Sequence, residues 1–376
     1  MKILHLISSG GLYGAETMVL TLSKRLQEQG HTSVIGVFLN LHSPNTEIAD
    51  RARSSGVPVE VVPCKGRIDG QAVRRLRRLI RDQRVDAVHA HGYKADIYGY
   101  AANFGLRTPI LSTCHTWYDN DVTAYLYGVL DRRILRWFDM TIAVSEAVAA
   151  TLRDAGVSPK KITIINNGID LHLFSSCAAT LRSELRTHKK IIGTVARLAP
   201  EKGIEYLLQA AAVVLRRQPH VLFVIVGDGP NRRQLETLAQ ELGITGRVIF
   251  TGARRDMPGV YASLDVLVQP SLKEGLPMTL LEALASKRAT VATRVGAVPR
   301  VVLHEKTGLL IEPADSSVLA AAILRLLADD NLRDQLSETG YAWVRQNFSA
   351  EGMAQTYLEL YQSMTRKQYA YAQVQG

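Results

Sequence analysis

Cysteine is scarce in this sequence. Three residues, Cys64, Cys114 and Cys177, lie far apart in a chain of 376, and no C-x-x-C pair occurs. An odd number of separated thiols does not make a disulfide framework, so we expect reduced cysteines in a cytoplasmic protein. No apolar run of about 18 residues occurs either, and no membrane-spanning helix is predicted.

Low-complexity tracts, short-period repeats and a basic tail are also lacking. The opening apolar run is too short for a signal peptide and predicts a first strand. Hydrophobic residues make up 47% of the chain and charged residues 21%, as in globular proteins. The formal charge of +10 is spread over both halves and favours anionic partners, namely nucleotides, nucleic acid or an acidic membrane surface.

Short apolar runs alternate with amphipathic stretches, which indicates βαβ units and parallel sheets. This alternation is absent from the polar segment 172–188, which we predict to be a linker, and it begins again at Lys190. We therefore predict an α/β protein of two tandem Rossmann-like domains, residues 1–172 and 187–349. The carboxyl ends of their strands are expected to face a central cleft, where ligands bind in such folds. Three helices are predicted to end the chain (315–328, 331–346 and about 350–365).

The segment from Glu274 to Glu282 follows a predicted strand and carries the sharpest signal. Pro277 suits the first turn of a helix, whose positive end attracts an anion. Glu282 has apolar neighbours, so its carboxylate needs a partner or a ligand. The first turn would offer three backbone N–H groups (Met278, Thr279 and Leu280).

Two cations stand where the second domain begins. Arg197 ends the first predicted strand of that domain, and Lys202 opens the next helix. A guanidinium and an ammonium at the mouth of a crevice suit a pyrophosphate, whose developing charge they would stabilise. The alternative is a pair of surface cations with roles at a helix end.

The first half carries weaker signals. Gly10 and Gly11 lie between the first strand and the first helix, where a glycine loop can approach a phosphate or form a simple tight turn. His89 and His91 end a strand, and alternation places them on one side. His91 is the better candidate for substrate contact, and His89 for a hydrogen-bonded structural role. With no third ligand evident, we predict no metal site.

A basic amphipathic helix is predicted near residues 70–83. Its alternatives are a solvated face over a core stripe or a surface that docks on anionic lipid. Nucleic acid is not predicted as a partner, because no helix-turn-helix or aromatic-rich sheet motif occurs. The cations of this helix are Arg74, Arg75, Arg77, Arg78 and Arg81.

Over nearly the whole chain these motifs resemble the GT-B fold glycosyltransferases of family 4, a large retaining group. The most specific resemblance is the E-x7-E pair formed by Glu274 and Glu282. The other matching segments are Gly10-Gly11 with Gly14-Ala15-Glu16, His89-Ala90-His91, Ala143-Val144-Ser145, Asn166-Asn167-Gly168-Ile169-Asp170, Gly193-Thr194-Val195-Ala196-Arg197, Glu201-Lys202-Gly203 and Gly227-Asp228-Gly229-Pro230.

The resemblance implies roles for residues of the second half. Arg197 and Lys202 would bind the donor diphosphate. Glu274 would hold hydroxyls of the transferred sugar, and Glu282 would hold the ribose. The backbone N–H groups of the following helix would support the phosphates.

It also implies contacts from other loops. The Gly10 and Gly11 loop would close over the donor, and His91 would contact the sugar near its reacting carbon. The base would lie near Gly252 and Arg254. The last helix, about 350–370, would cross back to the first domain.

The expected function is transfer of a sugar from a nucleotide-sugar, most simply a UDP-sugar, with retention and without metal or other cofactor. The acceptor would be a glycan or lipid-linked acceptor of cell-surface polysaccharide or glycolipid synthesis, in the cytoplasm or on the inner membrane face. The alternatives are a GDP-mannose-dependent mannosyltransferase, a sugar-nucleotide epimerase and a non-catalytic binding protein. Arg300 stands where relatives often carry glutamate.

Overall fold

The computed structural model describes residues 1–8, 11, 14–41, 45–65, 69–114, 122–175 and 177–374, the side chains of 122–126 and 367–374 excepted. The chain divides into two compact units. The first consists of residues 1–168 with 350–376, and the second of residues 169–349. The division falls close to residue 172, the predicted end of the first domain.

The strands are short and mostly buried, as apolar runs bounded by turn residues predict. In the first unit they are β1 Lys2–Ile7, β2 Thr32–Asn40, β3 Val59–Cys64, β4 Ala87–His91, β5 Ile110–Cys114, β6 Met140–Ala143 and β7 Ile162–Ile164. In the second unit they are β8 Ile191–Val195, β9 Leu222–Val226, β10 Val248–Gly252, β11 Val266–Gln269, β12 Ala289–Thr293 and β13 Leu309–Ile311.

Helices connect these strands as crossovers. They are α1 Gly14–Glu28, α2 Glu47–Ser54, α3 Gly70–Asp82, α4 Tyr93–Asn103, α5 Val122–Ile134, α6 Glu146–Asp154, α7 Thr180–Glu184, α8 Ile204–Arg217, α9 Arg232–Glu241, α10 Met257–Ser263, α11 Met278–Ala285, α12 Val298–Val301, α13 Ser316–Ala328, α14 Asp330–Asn347 and α15 Ala350–Val374. Short 3₁₀ turns include Leu135–Trp137 after α5 and Pro200–Lys202 before α8.

Both sheets are parallel and reverse their strand order at one point. The first sheet has the order β3-β2-β1-β4-β5-β6-β7, and the second has the order β10-β9-β8-β11-β12-β13. The reversals lie between β1 and β4 and between β8 and β11. Ligands of open α/β sheets bind at such switch points, beyond the carboxyl ends of the strands. The predicted motifs follow these strands.

Each face of the first sheet is covered by helices, because its strands alternate two apolar sets. Leu4 and Leu6 of β1 pack in a core with residues of α3 and α4. Ile3 and Ile7 belong to a core on the other face, which includes residues of α1 and α15. The C-terminal helix therefore packs against the first unit.

Several elements differ from the sequence prediction. The segment 172–188, expected to be a linker, contains α7, whose Leu181 is buried in the core of the second unit. Helices α2 and α12 were not predicted, because they are short and give little periodicity. Helix α15 continues to Val374, beyond the predicted end near 365. No helix in the described ranges is long and apolar enough to cross a membrane.

Candidate active site

Loops after β8 and β11, the strands on either side of the switch point in the second sheet, are joined by backbone hydrogen bonds. The amide of Leu272 donates to the carbonyl of Glu201 at 2.9 Å. Gly203 has a φ of +60°, and a Cβ there would lie 2.3 Å from the carbonyl oxygen of Pro270. This contact needs glycine for both its backbone conformation and its close approach. The loop after β8, which carries the predicted cations, and the loop after β11, which carries Glu274, therefore pack directly against each other.

A third loop, after β12, touches the same place. Gly296 has a φ of +51°, and a Cβ on it would lie 1.9 Å from the carbonyl oxygen of Glu274. The amide of Ala297 donates to the carbonyl of Gly275 at 3.3 Å. The loop that carries Glu274 is thus contacted by the loop after β8 and by the loop after β12.

We expect Gly296→Ala to displace the Glu274 backbone and to lower both stability and transfer activity. Its matched control is Gly243→Ala, because Gly243 has a φ of +69° with nothing within 4 Å of the added Cβ. The control should lose only the cost of left-handed backbone, about 1–2 kcal/mol. Urea unfolding and initial transfer rates of both variants test this, and equal losses would show that the close approach is unimportant.

The carboxylate of Glu274 is the centre of the site. Its Oε1 lies 2.7 Å from Lys202 Nζ, and the side chains of Gln269 and Ser271 each donate to the same oxygen at 2.7 Å. Only 8% of the Glu274 side chain is exposed, against 22% for Lys202. No described residue donates to its second oxygen, Oε2. The protein thus fixes one oxygen of this carboxylate with one cation and two neutral donors.

Gln269 also connects the carboxylate to the next helix. Its side-chain oxygen accepts a hydrogen bond from Thr279 Oγ1 at 2.9 Å. An amide that donates to Glu274 and accepts from Thr279 must keep one orientation. The first turn of α11 and the Glu274 carboxylate are therefore positioned together.

Helix α11 begins at Met278, with Pro277 as its N-cap residue. Among the described residues, the amides of Met278 and Thr279 have no backbone acceptor. The amide of Leu280 donates to the carbonyl of Pro277 at 3.2 Å. Two of the three predicted N–H donors can therefore face an anion, and Leu280 is a correction, because its N–H closes the first turn.

Arg197 forms an exposed ion pair. Its Nη2 lies 2.6 Å from Glu201 Oε1, and 63% of the arginine side chain is exposed. Exposed pairs of this kind contribute only about 0–1 kcal/mol. A backbone hydrogen bond and, to a smaller extent, the bond with Arg197 lower the pKa of the Glu201 carboxyl. A phosphate could redirect this guanidinium at little cost.

Glu282 is half-buried in α11 and accepts a hydrogen bond from the Tyr261 hydroxyl at 2.6 Å. Burial raises the pKa of this carboxyl to about 7, although the tyrosine bond lowers it in part. The sequence predicted that this acid needs a partner. Tyr261, a fully buried residue of α10, is that partner.

The Arg254 side chain forms ion pairs with two acids, Asp256 and Glu184. It forms a bidentate pair with Asp256, at 2.9 and 2.8 Å, and a 2.8 Å bond to Glu184. The Arg254 bonds hold the pKa of Asp256 well below its usual range. The carbonyl of Gly252 accepts the amide of Gly227 at 2.9 Å. The predicted contact of Gly252 and Arg254 with a base stays a prediction, and the Arg254 side chain is engaged within the protein.

In the first unit, Gly11 and His91 follow β1 and end β4, the strands beside the switch point. Gly11 is buried, and Gly10 lies outside the described residues. His91 is 4% exposed, and its ring centroid lies 4.0 Å from that of His89. The two histidines therefore share one side, as alternation predicts.

The structure adds a third histidine to this pair. His5 Nδ1 lies 3.1 Å from His91 Nε2, and nitrogens of the three rings lie within 4.8 Å of one another. The prediction that no third ligand stands nearby was therefore wrong, because β1 and β4 are distant in sequence but adjacent in the sheet. Burial lowers the pKa of His5 to about 3.

His89 uses both ring nitrogens within the protein. Nδ1 lies 2.7 Å from the hydroxyl of Tyr361 on α15, and Nε2 lies 2.8 Å from Thr113 Oγ1. Coordination of an ion by His89 would break one of these bonds. The geometry therefore favours a hydrogen-bonded cluster, the structural role expected for His89.

We expect Tyr361→Phe to lower the free energy of unfolding by about 1–3 kcal/mol, because it leaves a buried nitrogen of His89 without its partner. The matched control is Tyr341→Phe, which removes a hydroxyl that bonds no described residue. Urea unfolding, with hydrogen exchange of β4 and α15, measures the difference. An unchanged unfolding curve for Tyr361→Phe would contradict this role.

Two family models match the chain in succession. Residues 13–173 match the model described as Glycosyltransferase Family 4, and residues 181–343 match Glycosyl transferases group 1. The chain belongs to this glycosyltransferase family.

Relatives of this glycosyltransferase include enzymes with different acceptors. It is 28% identical over 304 residues to the D-inositol 3-phosphate glycosyltransferase of Corynebacterium efficiens, covering 74% of this chain and 72% of that one. It is 28% identical over 295 residues to the UDP-Gal:alpha-D-GlcNAc-diphosphoundecaprenol alpha-1,3-galactosyltransferase of Escherichia coli, covering 72% and 73%.

The fold of this glycosyltransferase is that of the GT-B enzymes, as predicted. HepE of Anabaena in complex with UDP-glucose matches with a TM-score of 0.82 and 25% identity, over 96% of this chain and 100% of that chain. The predicted family and fold class are thereby confirmed.

Sequence reasoning missed the residues that hold the two acids of this glycosyltransferase. Gln269 and Ser271 follow an apolar strand, and a polar residue at that point was the available signal. Tyr261 and His5 carried none, because each looks like an ordinary member of a buried helix or strand.

Proposed function

We propose that this glycosyltransferase moves a sugar from a UDP-sugar to a glycan or lipid-linked acceptor, with retention and without a metal. The observation that carries the proposal is the Lys202–Glu274 pair, fixed by Gln269 and Ser271 beside the first turn of α11. A cation, free helix amides and an oriented carboxylate suit a diphosphate and the sugar attached to it.

Lys202 and Arg197 supply the positive charge for the departing diphosphate. The amides of Met278 and Thr279 add the positive end of α11. Lys202 and the helix amides stand in fixed positions before the donor binds, which lowers the cost of stabilising the leaving group, whereas Arg197 would turn from Glu201 to the diphosphate. On this basis the site needs no metal ion.

In the proposed step, the bond between the anomeric carbon and the diphosphate oxygen breaks, and the acceptor oxygen attacks from the same face. The acceptor proton passes to the departing diphosphate, so the anomeric configuration is retained. On this same-face path Glu274 orients the sugar and forms no covalent bond with it, while three donors hold its Oε1. The roles of Glu282 at the ribose and of His91 and the Gly10–Gly11 loop at the donor stay predictions.

Two comparisons support the choice of donor and acceptor. HepE, similar over nearly the whole chain, has been solved with UDP and with UDP-glucose. The similar galactosyltransferase of Escherichia coli is named for a UDP-sugar donor and an undecaprenol-linked acceptor.

The test starts with thermal shift against UDP-sugars, GDP-mannose and the free nucleotides, because a matched ligand stabilises the fold by mass action. Transfer is then followed by NMR with and without EDTA. We expect a UDP-sugar to give the largest shift, an axial product from an axial donor, and no effect of EDTA. An epimerised donor in the absence of acceptor, an inverted product, or loss of activity in EDTA would overturn the proposal.

A further inference from the structure

The outer surface of α4 and α5 in the first unit exposes large hydrophobic side chains. They include the two most exposed of the described large hydrophobics, Phe104 at 70% and Trp137 at 60%, together with Tyr93 and Leu130 at 45% each. We call these four residues the α4–α5 seam. Apolar side chains clustered at a surface mark an interaction site, whereas scattered ones do not.

Ring contacts join α4 to α5 and its final 3₁₀ turn at two places. Tyr93 of α4 stacks on Tyr127 of α5 with centroids 5.4 Å apart, and Tyr100 of α4 stacks on Trp137 with centroids 5.8 Å apart. Leu130 and Trp137 are seven positions apart, so they lie on one side of α5 and its final 3₁₀ turn. The two ring pairs and Leu130 therefore form an apolar stripe along α4 and α5, and Phe104 is exposed where α4 ends.

Cations flank this stripe. Arg133 is exposed on α5, and Arg107 is exposed just after α4. Arg136 is also exposed, but its Nε donates to the carbonyl of Ala155 at 2.8 Å. The neighbouring α3 exposes further cations (Arg74, Arg75, Arg78 and Arg81). The sequence prediction for α3 needs one correction, because Arg77 bonds the carbonyls of Ala102 and Phe104, at 3.3 and 2.5 Å, and serves the end of α4.

The acids of these helices hardly offset that charge. Helices α3, α4 and α5 contain only Asp82, Asp96 and Asp131. Asp82 is exposed and pairs with Arg81 at 2.8 Å, whereas Asp96 and Asp131 are 1% and 2% exposed. Burial and the neighbouring Asp131 raise the pKa of Asp96. Among the described residues of these three helices, the exposed charge is thus mostly positive around the apolar stripe, and Asp139, just after Trp137, is one exposed acid beside it.

From this arrangement we infer that the α4–α5 seam docks on an anionic lipid bilayer, with Trp137, Leu130 and Phe104 in the interface and the arginines at the headgroups. Tryptophan and tyrosine suit the boundary between water and acyl chains, and arginines beside them suit anionic headgroups. A folded acidic protein or a nucleic acid would use the charges but would gain less from exposed leucine and tryptophan.

This inference rests on the proposed function only for the acceptor, since docking would favour a lipid-linked acceptor over a soluble glycan. Tyr93, at one end of the seam, lies two residues after His91, which ends β4 at the carboxyl edge of the sheet. An acceptor held in the bilayer would therefore need to travel only along this layer to reach that edge.

Co-sedimentation with phosphatidylcholine vesicles, with and without phosphatidylglycerol, tests the inference. We expect binding to the anionic vesicles alone, and at least a tenfold loss for Leu130→Ser/Trp137→Ser and for Arg133→Glu. The matched controls, Leu173→Ser and Arg217→Glu, change an exposed leucine and an exposed arginine of the second unit and should bind as the unaltered protein does.

Tryptophan emission gives a second measurement. The sequence has three tryptophans, so Trp117→Phe/Trp343→Phe leaves Trp137 as the sole reporter. Its emission should shift to shorter wavelength with anionic vesicles. No shift, equal binding to neutral vesicles, equal displacement by a soluble oligonucleotide, or a dimer that Leu130→Ser/Trp137→Ser dissociates would each overturn the inference.

Nucleotide-sugar thermal shift separates this outcome from the proposed transfer. Leu130→Ser/Trp137→Ser should keep the full shift and the full rate on a water-soluble acceptor while it loses vesicle binding. A protein that binds vesicles but no nucleotide-sugar would overturn the proposed function and leave the docking surface standing.

Discussion

Replacing Lys202 by alanine is expected to lower kcat/KM for transfer by about 100- to 1000-fold, the effect of removing one preorganised stabiliser of transition-state charge. The variant also leaves Glu274, only 8% exposed, with neutral donors alone. We therefore expect an additional loss of roughly 1–3 kcal/mol in the free energy of unfolding. Initial rates and urea unfolding measure the two effects separately.

Lys190→Ala is the matched control, because Lys190 also pairs with an acid of the second unit. Its Nζ lies 3.1 Å from Asp330 Oδ1, but the two side chains are 38% and 68% exposed. Its removal should change stability by no more than about 0.5 kcal/mol and leave the rate unaltered. A Lys202→Ala enzyme with the full rate would refute the proposed diphosphate site.

The second large effect is a pH dependence set by Glu282. Its pKa is about 7, so the carboxylate that would accept ribose hydroxyls is lost as the pH falls through neutrality. We expect the donor KM to rise below pH 7, approaching about tenfold per pH unit. Glu282→Gln should show a high KM at pH 8 that no longer depends on pH over this range.

The Glu282 carboxyl also makes the stability of the protein depend on pH. Donor binding is expected to improve as the pH rises, whereas the stability is expected to fall. Burial raises the folded-state pKa of this carboxyl from 4.5 to about 7, so the folded protein binds this proton more tightly than the unfolded chain. The free energy of unfolding therefore falls as the pH rises between these values, by roughly 3 kcal/mol at most. Glu282→Gln should remove that loss and be the more stable protein at pH 8.

The exposed Glu338→Gln is the control for both measurements, since its pair with Lys287 lies at the surface. It should follow the unaltered protein in KM and in unfolding at each pH. A Glu282→Gln protein that is less stable than the original at pH 8 would contradict the raised pKa.

The local pattern predicted most of the second unit closely. The helix predicted to open at Pro277 is α11, Met278–Ala285, and the α/β series predicted to resume at Lys190 begins with β8, Ile191–Val195. These elements could be predicted from the sequence because the apolar periodicity and the proline at a helix start are local signals that span only a few residues. Helix α7 was missed because its burial against α10 depends on residues about 80 positions away, such as Ser263, whose Oγ accepts the amide of Arg182.

By itself, the sequence determined the order of strands and helices, the family, and the residue types at the ends of β8 and β11, because these depend on local spacing and on motifs read along the chain. Only the tertiary structure decided which side chains meet. The Gln269 and Ser271 bonds to Glu274, the Tyr261 bond to Glu282 and the His5 contact with His91 each depend on how loops, helices and strands pack. Hydrogen-bond partners are chosen by distances in the folded chain, and no periodicity along the sequence encodes them.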